Sequence, residues 1–168
     1  MKLLPLESSD LIRLVADWLS RKENYQWLDF GNGKQILTPE WLKISTQRDT
    51  DVLRAYTQDD DKTPVGIVGL TSVDRAFRTA RIWVVAGDKS FSARGLASQA
   101  ASKLLTHAFR DLGLQAVNTW IVEHNPSLKV ARRLHFTLIG RQRQCHVIDG
   151  HAYDRLWFDL LASEHEEI

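Results

Sequence analysis

Between Leu96 and Leu112 the apolar residues fall in pairs four positions apart: Leu96/Ala97, Ala100/Ala101, Leu104/Leu105 and Ala108/Phe109. That spacing paints one apolar stripe along a helix, and Gly113 behind it is suited to the left-handed conformation that ends helices. Runs rich in β-branched and aromatic residues stand on either side, Ala80–Val85 before it and Val117–Val122 after it. Strand, helix and strand in that order make a β-α-β unit, which commits the chain to a sheet with a parallel crossover.

The flanking segments complete the sheet. Val52–Thr57 and Val65–Ser72 enclose a polar loop from Gln58 to Pro64 that contains Asp59–Asp61, and this reads as a hairpin. After Val122, Asn125-Pro126 opens a short helix reaching about Leu134. Phe136–Ile148 and His151–Leu160 then read as strands joined by Asp149-Gly150, a two-residue hairpin turn. At the front, Leu11, Leu14, Val15, Trp18 and Leu19 follow the helical period, with Ser9 and Asp10 available to cap. A second helix is predicted from Thr38 as N-cap and Pro39 at its first position. The connector Tyr25–Gly33, aromatic and turn-rich, is expected to be irregular. The fold class is α/β of the α+β type: a mixed, mostly antiparallel sheet with helices on both faces.

With 168 residues the chain is expected to form one domain spanning 1–168. A net charge of +1 argues against a nucleic-acid coat protein, so any anion must be gripped locally. The single cysteine, Cys145, excludes an internal disulfide and points to a reducing, cytoplasmic setting; in a strand it should be buried and inert. The histidines lack ligand-like spacing, so no metal is expected, and His107 should face solvent. The apolar run at Met1–Leu6 breaks at Pro5, too short for a signal peptide, and no stretch approaches the ~18 apolar residues of a membrane span.

The segment from Val84 to Ala97 carries the most chemistry. A strand ends, small residues follow, and a helix begins at Gly95-Leu96-Ala97. The first N–H groups of a helix lack intrahelical partners and carry partial positive charge, so Ser92, Ala93 and Gly95 would let a phosphate approach, with Arg94 adding a charged contact. Taken alone, the same residues also read as an ordinary helix cap.

Four motifs in order resemble the GNAT superfamily of acyl-CoA N-acetyltransferases, in particular its ribosomal-protein and polyamine acetyltransferase-like branch. Ser92-Ala93-Arg94-Gly95-Leu96-Ala97 stands at the family's phosphate loop. Ala108-Phe109-Arg110-Asp111-Leu112-Gly113-Leu114 follows, then His124-Asn125-Pro126-Ser127 running on to Leu134-His135-Phe136. Gly140-Arg141-Gln142-Arg143, Asp149-Gly150 and Tyr153-Asp154 close the series.

The resemblance implies acetyl-CoA as co-substrate and a splayed sheet. The pantetheine arm would lie between the strand at Val84 and Val85 and the Val117–Val122 strand, and the pyrophosphate on residues 92–97. Asn125 and Ser127 would face the pantetheine or the departing thiolate. Lys129 or Arg132 is either a 3′-phosphate contact or solvated surface. The family's usual base and acid positions hold Arg81 and Ala131 here, and its usual Gln/Arg, first Gly and later Gly are replaced by Ser92, Ala93 and His135. Glu123 and His124 are therefore the candidate proton acceptors and Tyr153 the candidate acid, each with a plain surface or packing role as the alternative. The acceptor side would be formed by the first two helices and their connector, where Tyr25, Trp27, Asp29, Phe30 and Trp41 stand, with Trp27 and Asp29 as substrate contacts. The acceptor is expected to be a primary amine, either a small molecule such as a polyamine or aminosugar or a protein N-terminus. The competing expectation is a catalytically silent acyl-CoA-binding module. An exposed edge strand in the last hairpin would suit a homodimer.

Overall fold

The structure, a computed structural model, describes residues 1–29 and 38–168, with the backbone alone at Ser92 and Ala93. Phe30 and the end of the aromatic connector lie outside the described residues.

Seven strands form one sheet in the order β1-β2-β3-β4-β5-β7-β6. They are β1 (Leu3–Pro5), β2 (Val52–Thr57), β3 (Pro64–Asp74), β4 (Thr79–Ala86), β5 (Ala116–Val122), β6 (Thr137–Ile148) and β7 (His151–Leu161). Every neighbouring pair is antiparallel except β4 and β5, which are parallel and joined through α4 (Leu96–Thr106). The crossover read from the apolar pairs is thus the one parallel step in the sheet. Asp149 and Gly150, at φ 50° and 81°, both take the left-handed conformation that a tight two-residue turn between β6 and β7 needs.

Each face of the sheet has its own core. On one side α4 buries Ala100, Leu104 and Leu105 against Val68, Leu70, Ile82 and Val117. On the other, α1 (Ser9–Ser20) buries Val15, Trp18 and Leu19 against Leu53, Ala55 and Ile67, with Leu42 of α3 (Pro39–Thr46) beside them. Thr38 caps α3 by accepting from Trp41 N, as its position before Pro39 predicts.

Several details differ from the sequence reading. Ser8 rather than Ser9 or Asp10 caps α1, because its side chain accepts from Leu11 N at 3.2 Å. Leu3–Pro5 adds an edge strand, β1, too short to show a period, and Lys22–Tyr25 forms a single helical turn, α2. The helix after Leu96 is regular only to Thr106; His107–Asp111 widens into a π turn, closed by Leu112 N donating to His107 O, before Gly113 at φ 66°. His107 is half-buried and paired with Asp111 at 2.6 Å. Cys145 is half-buried, its thiol donating to Gln142 O. The acidic hairpin tip is self-satisfied: Asp60 accepts from Lys62 N, Thr63 N and the Thr63 hydroxyl, which hold its carboxyl down at about 2, and Asp61 meets the N-terminal amine at 2.6 Å. Among the described residues no helix is long and apolar enough to cross a membrane.

The feature that positions the site is where the parallel pairing stops. β4 and β5 pair only at Thr79↔Ala116, Ala80↔Val117 and Arg81↔Asn118. Beyond Arg81, β4 stays paired to β3 as far as Ala86, and β5 stays paired to β7 as far as Val122. The two strands therefore diverge while each keeps its outer neighbour. The gap between them is flanked by two backbone edges with unused hydrogen-bonding groups.

Candidate active site

A cavity of about 410 Å³ passes through the sheet at this gap. Its walls are Val84, Val85 and Ala86 of β4 and Thr119, Trp120 and Ile121 of β5. On the α4 side it is lined by the small residues Ala97 and Ala101, and by Val130 and Ala131 of α5 (Leu128–Arg133). On the α1 side it opens among Asn24, Trp27, Leu28 and Asp29, over a floor that includes Thr71, Arg81 and Trp83.

The α4 side leads to the helix start. Residues Lys89–Arg94, expected as an open loop, wind into a 3₁₀ turn capped by Asp88, whose carboxylate accepts from Ser90 N. Gly95 then takes φ +74°, which only glycine adopts without cost, and Leu96 opens α4. A Cβ built on Gly95 would lie 2.4 Å from Arg133 Nη1. The missing side chain thus leaves room for a guanidinium at a helix N-terminus, a donor set that suits a diphosphate. Arg132, expected either at the 3′-phosphate or on the solvated surface, is exposed; Arg133, one position on and also exposed, is the residue whose guanidinium stands at Gly95. Consecutive residues on a helix point about 100° apart, and only the docking of α5 decides between them. Arg94 is exposed, its guanidinium 5.0 Å from the centre of the Phe91 ring.

Asn125 and Ser127 line the cavity ahead of α5. The Asn125 side-chain oxygen accepts from Ser127 N at 2.9 Å, which fixes the amide, and Ser127 heads the helix without a side-chain capping bond. Both residues line the same cavity as Val84 and Val85. His135, where the resembling pattern has glycine, sits at φ +60° in the turn out of α5 and is exposed.

The α1 side is held by a chain of polar contacts. His146, 7% exposed, has its ring Nε2 2.7 Å from Gln26 O, and its Nδ1 faces Arg155 at 3.0 Å. Burial pushes its pKa below the ordinary histidine value. Arg155 also lies 3.9 Å over the Trp120 ring and 3.6 Å from Asp29. These contacts pin residues 26–29 to the last hairpin, so Asp29 reaches the cavity already paired to a cation. Asn24, 3% exposed, donates to Trp18 O and accepts from Lys89 Nζ, joining α2 to the end of β4. Burial lowers the Lys89 pKa.

The three residues assigned to proton transfer fall together, but away from the cavity walls. Glu123 accepts from Asp154 N at 2.9 Å with one oxygen and from Arg141 at 3.2 Å with the other. Arg141 also bridges to Asp154 at 2.7 Å. The His124 ring stands edge-on to Tyr153, 6.3 Å between centres, and is exposed. The cavity is lined instead by Arg81 and Ala131, the two departures from the family pattern, and by the carboxylates Glu23 and Asp29. Glu23 was missed, because nothing in the sequence marks an isolated Glu on a four-residue helix. Among the described residues no three His, Cys, Asp or Glu side chains cluster as a metal ion would require.

Comparison with known proteins gives a consistent result. The Acetyltransferase (GNAT) domain family matches residues 1–137. The chain is 26% identical over 172 residues to the Bacillus subtilis protein named "Putative ribosomal N-acetyltransferase YdaF", covering 96% of this chain and 91% of that one. Among solved structures, the spermidine N-acetyltransferase of Vibrio cholerae in complex with CoA and spermine superposes with a TM-score of 0.83 at 15% identity, covering 97% of this chain and 96% of that one. A probable GNAT-family acetyltransferase from Chromobacterium violaceum gives 0.74 at 23% identity, covering 96% and 87%.

Proposed function

The chain belongs to the GNAT acetyltransferase family and is an acyl-CoA-dependent N-acetyltransferase; we propose that it moves the acetyl group of acetyl-CoA onto a primary amine by direct attack within the β4–β5 gap. The observation that carries this reading is the gap itself, opening beside the Gly95–Arg133 cradle.

In this reading the diphosphate sits on the backbone of residues 92–97, including Leu96, with Arg133 and Arg94 above it. The pantetheine amides bond the open edge of β4 at Val84 and Val85 as an added strand would. A backbone N–H on that edge also donates to the thioester carbonyl and stabilises the negative charge that grows on attack. The amine enters from the Trp27 and Asp29 side with its lone pair free. The C–N bond forms, the C–S bond breaks, the nitrogen loses a proton and the thiolate gains one. Asn125 and Ser127 receive the thiolate. Glu123 and His124 take a proton only across intervening water, whereas Glu23 is a carboxylate on the cavity wall and the more direct acceptor. Tyr153 beside His124 stays an outer proton donor in this reading.

The acceptor class comprises small-molecule amines and protein N-termini. A cytoplasmic setting, inferred from the lone cysteine, and a homodimer over the β6 edge, where Leu138, Ile139 and Val147 are exposed, belong to the same proposal. Thiol release from acetyl-CoA across a panel of amines is the test, run beside calorimetry of CoA binding. Release dependent on an amine supports transfer. Binding without release for any amine supports the alternative, a catalytically silent acyl-CoA-binding module, and no binding refutes both.

A further inference from the structure

We propose that the acceptor amine carries a carboxylate, and that Arg81 at the floor of the gap recognises it. This rests on the transferase reading above and narrows its substrate.

Arg81 occupies the last rung before the strands part, paired with Thr71 on one side and Asn118 on the other. Side chains alternate along a strand, and Ala80 and Ile82 pack against α4, so Arg81 points to the opposite, acceptor face and lines the cavity there. No carboxylate balances its charge among the described residues. Among the described residues it makes no ion pair, its Nε is buried without a hydrogen-bond partner, and its guanidinium carbon lies 5.4 Å from the centre of the Trp157 ring. The neighbouring carboxylates do not neutralise it. Asp29 is paired to Arg155, and Asp159, two strands away in the same row, forms no ion pair with it. Glu23, exposed on α2, lines the cavity without an ion pair to Arg81.

A half-buried guanidinium whose Nε is cut off from solvent without an acceptor is unfavourable unless something completes it, and a planar carboxylate matches its fork. The walls around it are apolar and aromatic. Trp83 follows two residues along β4, and Trp120 and Trp157 face each other across β5 and β7. They offer surface for a carbon chain rather than further carboxylates for cations. A polyamine would bring a second positive charge toward an unneutralised Arg81, which the same argument disfavours.

The test compares ω-amino acids of increasing length, from glycine to 5-aminovalerate, with n-alkylamines of equal length and with spermidine. The readouts are kcat/KM by thiol release and, for the CoA-loaded protein, ligand affinity by tryptophan fluorescence. An ω-amino acid is expected to exceed its alkylamine by about tenfold to a hundredfold, the range of a buried charged hydrogen bond. Arg81→Met should remove that preference, and Arg81→Lys should keep part of it, with CoA affinity by calorimetry showing that each variant is folded. Equal or better use of alkylamines or spermidine overturns the proposal while leaving the transferase reading intact. Without turnover on any amine, fluorescence decides: a carboxylate preference lost in Arg81→Met upholds the recognition site, and no such preference overturns it. Failure to bind CoA overturns the transferase reading itself.

Discussion

Gly95→Ala puts one methyl group where the proposed diphosphate cradle is tightest. Its effect divides into two parts. Gly95 sits at φ +74°, and forcing an L-residue into the left-handed region costs about 1–2 kcal/mol. For a chain of this size that corresponds to a fall in Tm of about 2–8 °C. Separately, the new Cβ would stand 2.4 Å from Arg133 Nη1, far inside contact distance. The end of an arginine is flexible, so the guanidinium withdraws at little cost to folding. It then no longer overhangs the helix start, and a charge-assisted contact worth about 1.5–3 kcal/mol to the diphosphate is lost. CoA affinity should therefore drop about tenfold to a hundredfold, beyond any effect on folding. Calorimetry with CoA and with acetyl-pantetheine, which lacks the diphosphate, isolates the second part: the variant should lose affinity for CoA and keep it for acetyl-pantetheine. A variant with the expected Tm loss but CoA affinity within about twofold of wild type would refute the placement of the diphosphate.

Asn24→Ala removes both bonds that tie α2 to Trp18 O and Lys89, and should cost about 1–3 kcal/mol, read as a lower Tm and a raised KM for the amine; an unchanged melt would show that the clasp holds nothing. His146 gives a pH dependence of known sign. Its pKa lies below the ordinary 6.5 in the folded protein, so the unfolded chain takes up the proton first. The stability this site contributes is complete above that value and declines as pH falls below it. Wild type should lose more Tm on acidification than His146→Gln, a comparison that cancels the similarly depressed His165; parallel profiles would contradict it. Glu123→Gln should lower Tm by a few degrees, about 1 kcal/mol for a weakened bond to Asp154 N, and leave kcat within about threefold. Glu23→Gln should lower kcat by at least about tenfold at unchanged CoA affinity. The reverse ranking would return the proton to Glu123.

What could be read in advance follows from how local each signal is. The stripe from Leu96 to Leu105, Thr38-Pro39 and Asp149-Gly150 each fix a backbone conformation through neighbours in sequence, and all three stand in the structure as expected, whereas the stripe's last pair, Ala108 and Phe109, falls in the π turn. The gap at Val84 and Val85 was legible only through resemblance, because no residue announces where parallel pairing stops. Side-chain direction was the least accessible. Arg133 rather than Arg132 meets Gly95 because of how α5 docks. Glu123 ends beside the right strand but turns to Arg141 and Asp154, contacts between residues 18 and 31 positions apart. Arg81 was visible as a departure from a pattern; its buried, unpartnered Nε became visible only when the strands beside it were in place.

The most direct test is a crystal structure of the protein with CoA bound. Electron density for the diphosphate at the N–H groups of residues 95–97, under the Arg133 guanidinium, with the sulfur between Val85 and Asn125, is the predicted result. A cofactor bound elsewhere, or β4 and β5 closed onto one another past Arg81, would contradict the account at its root.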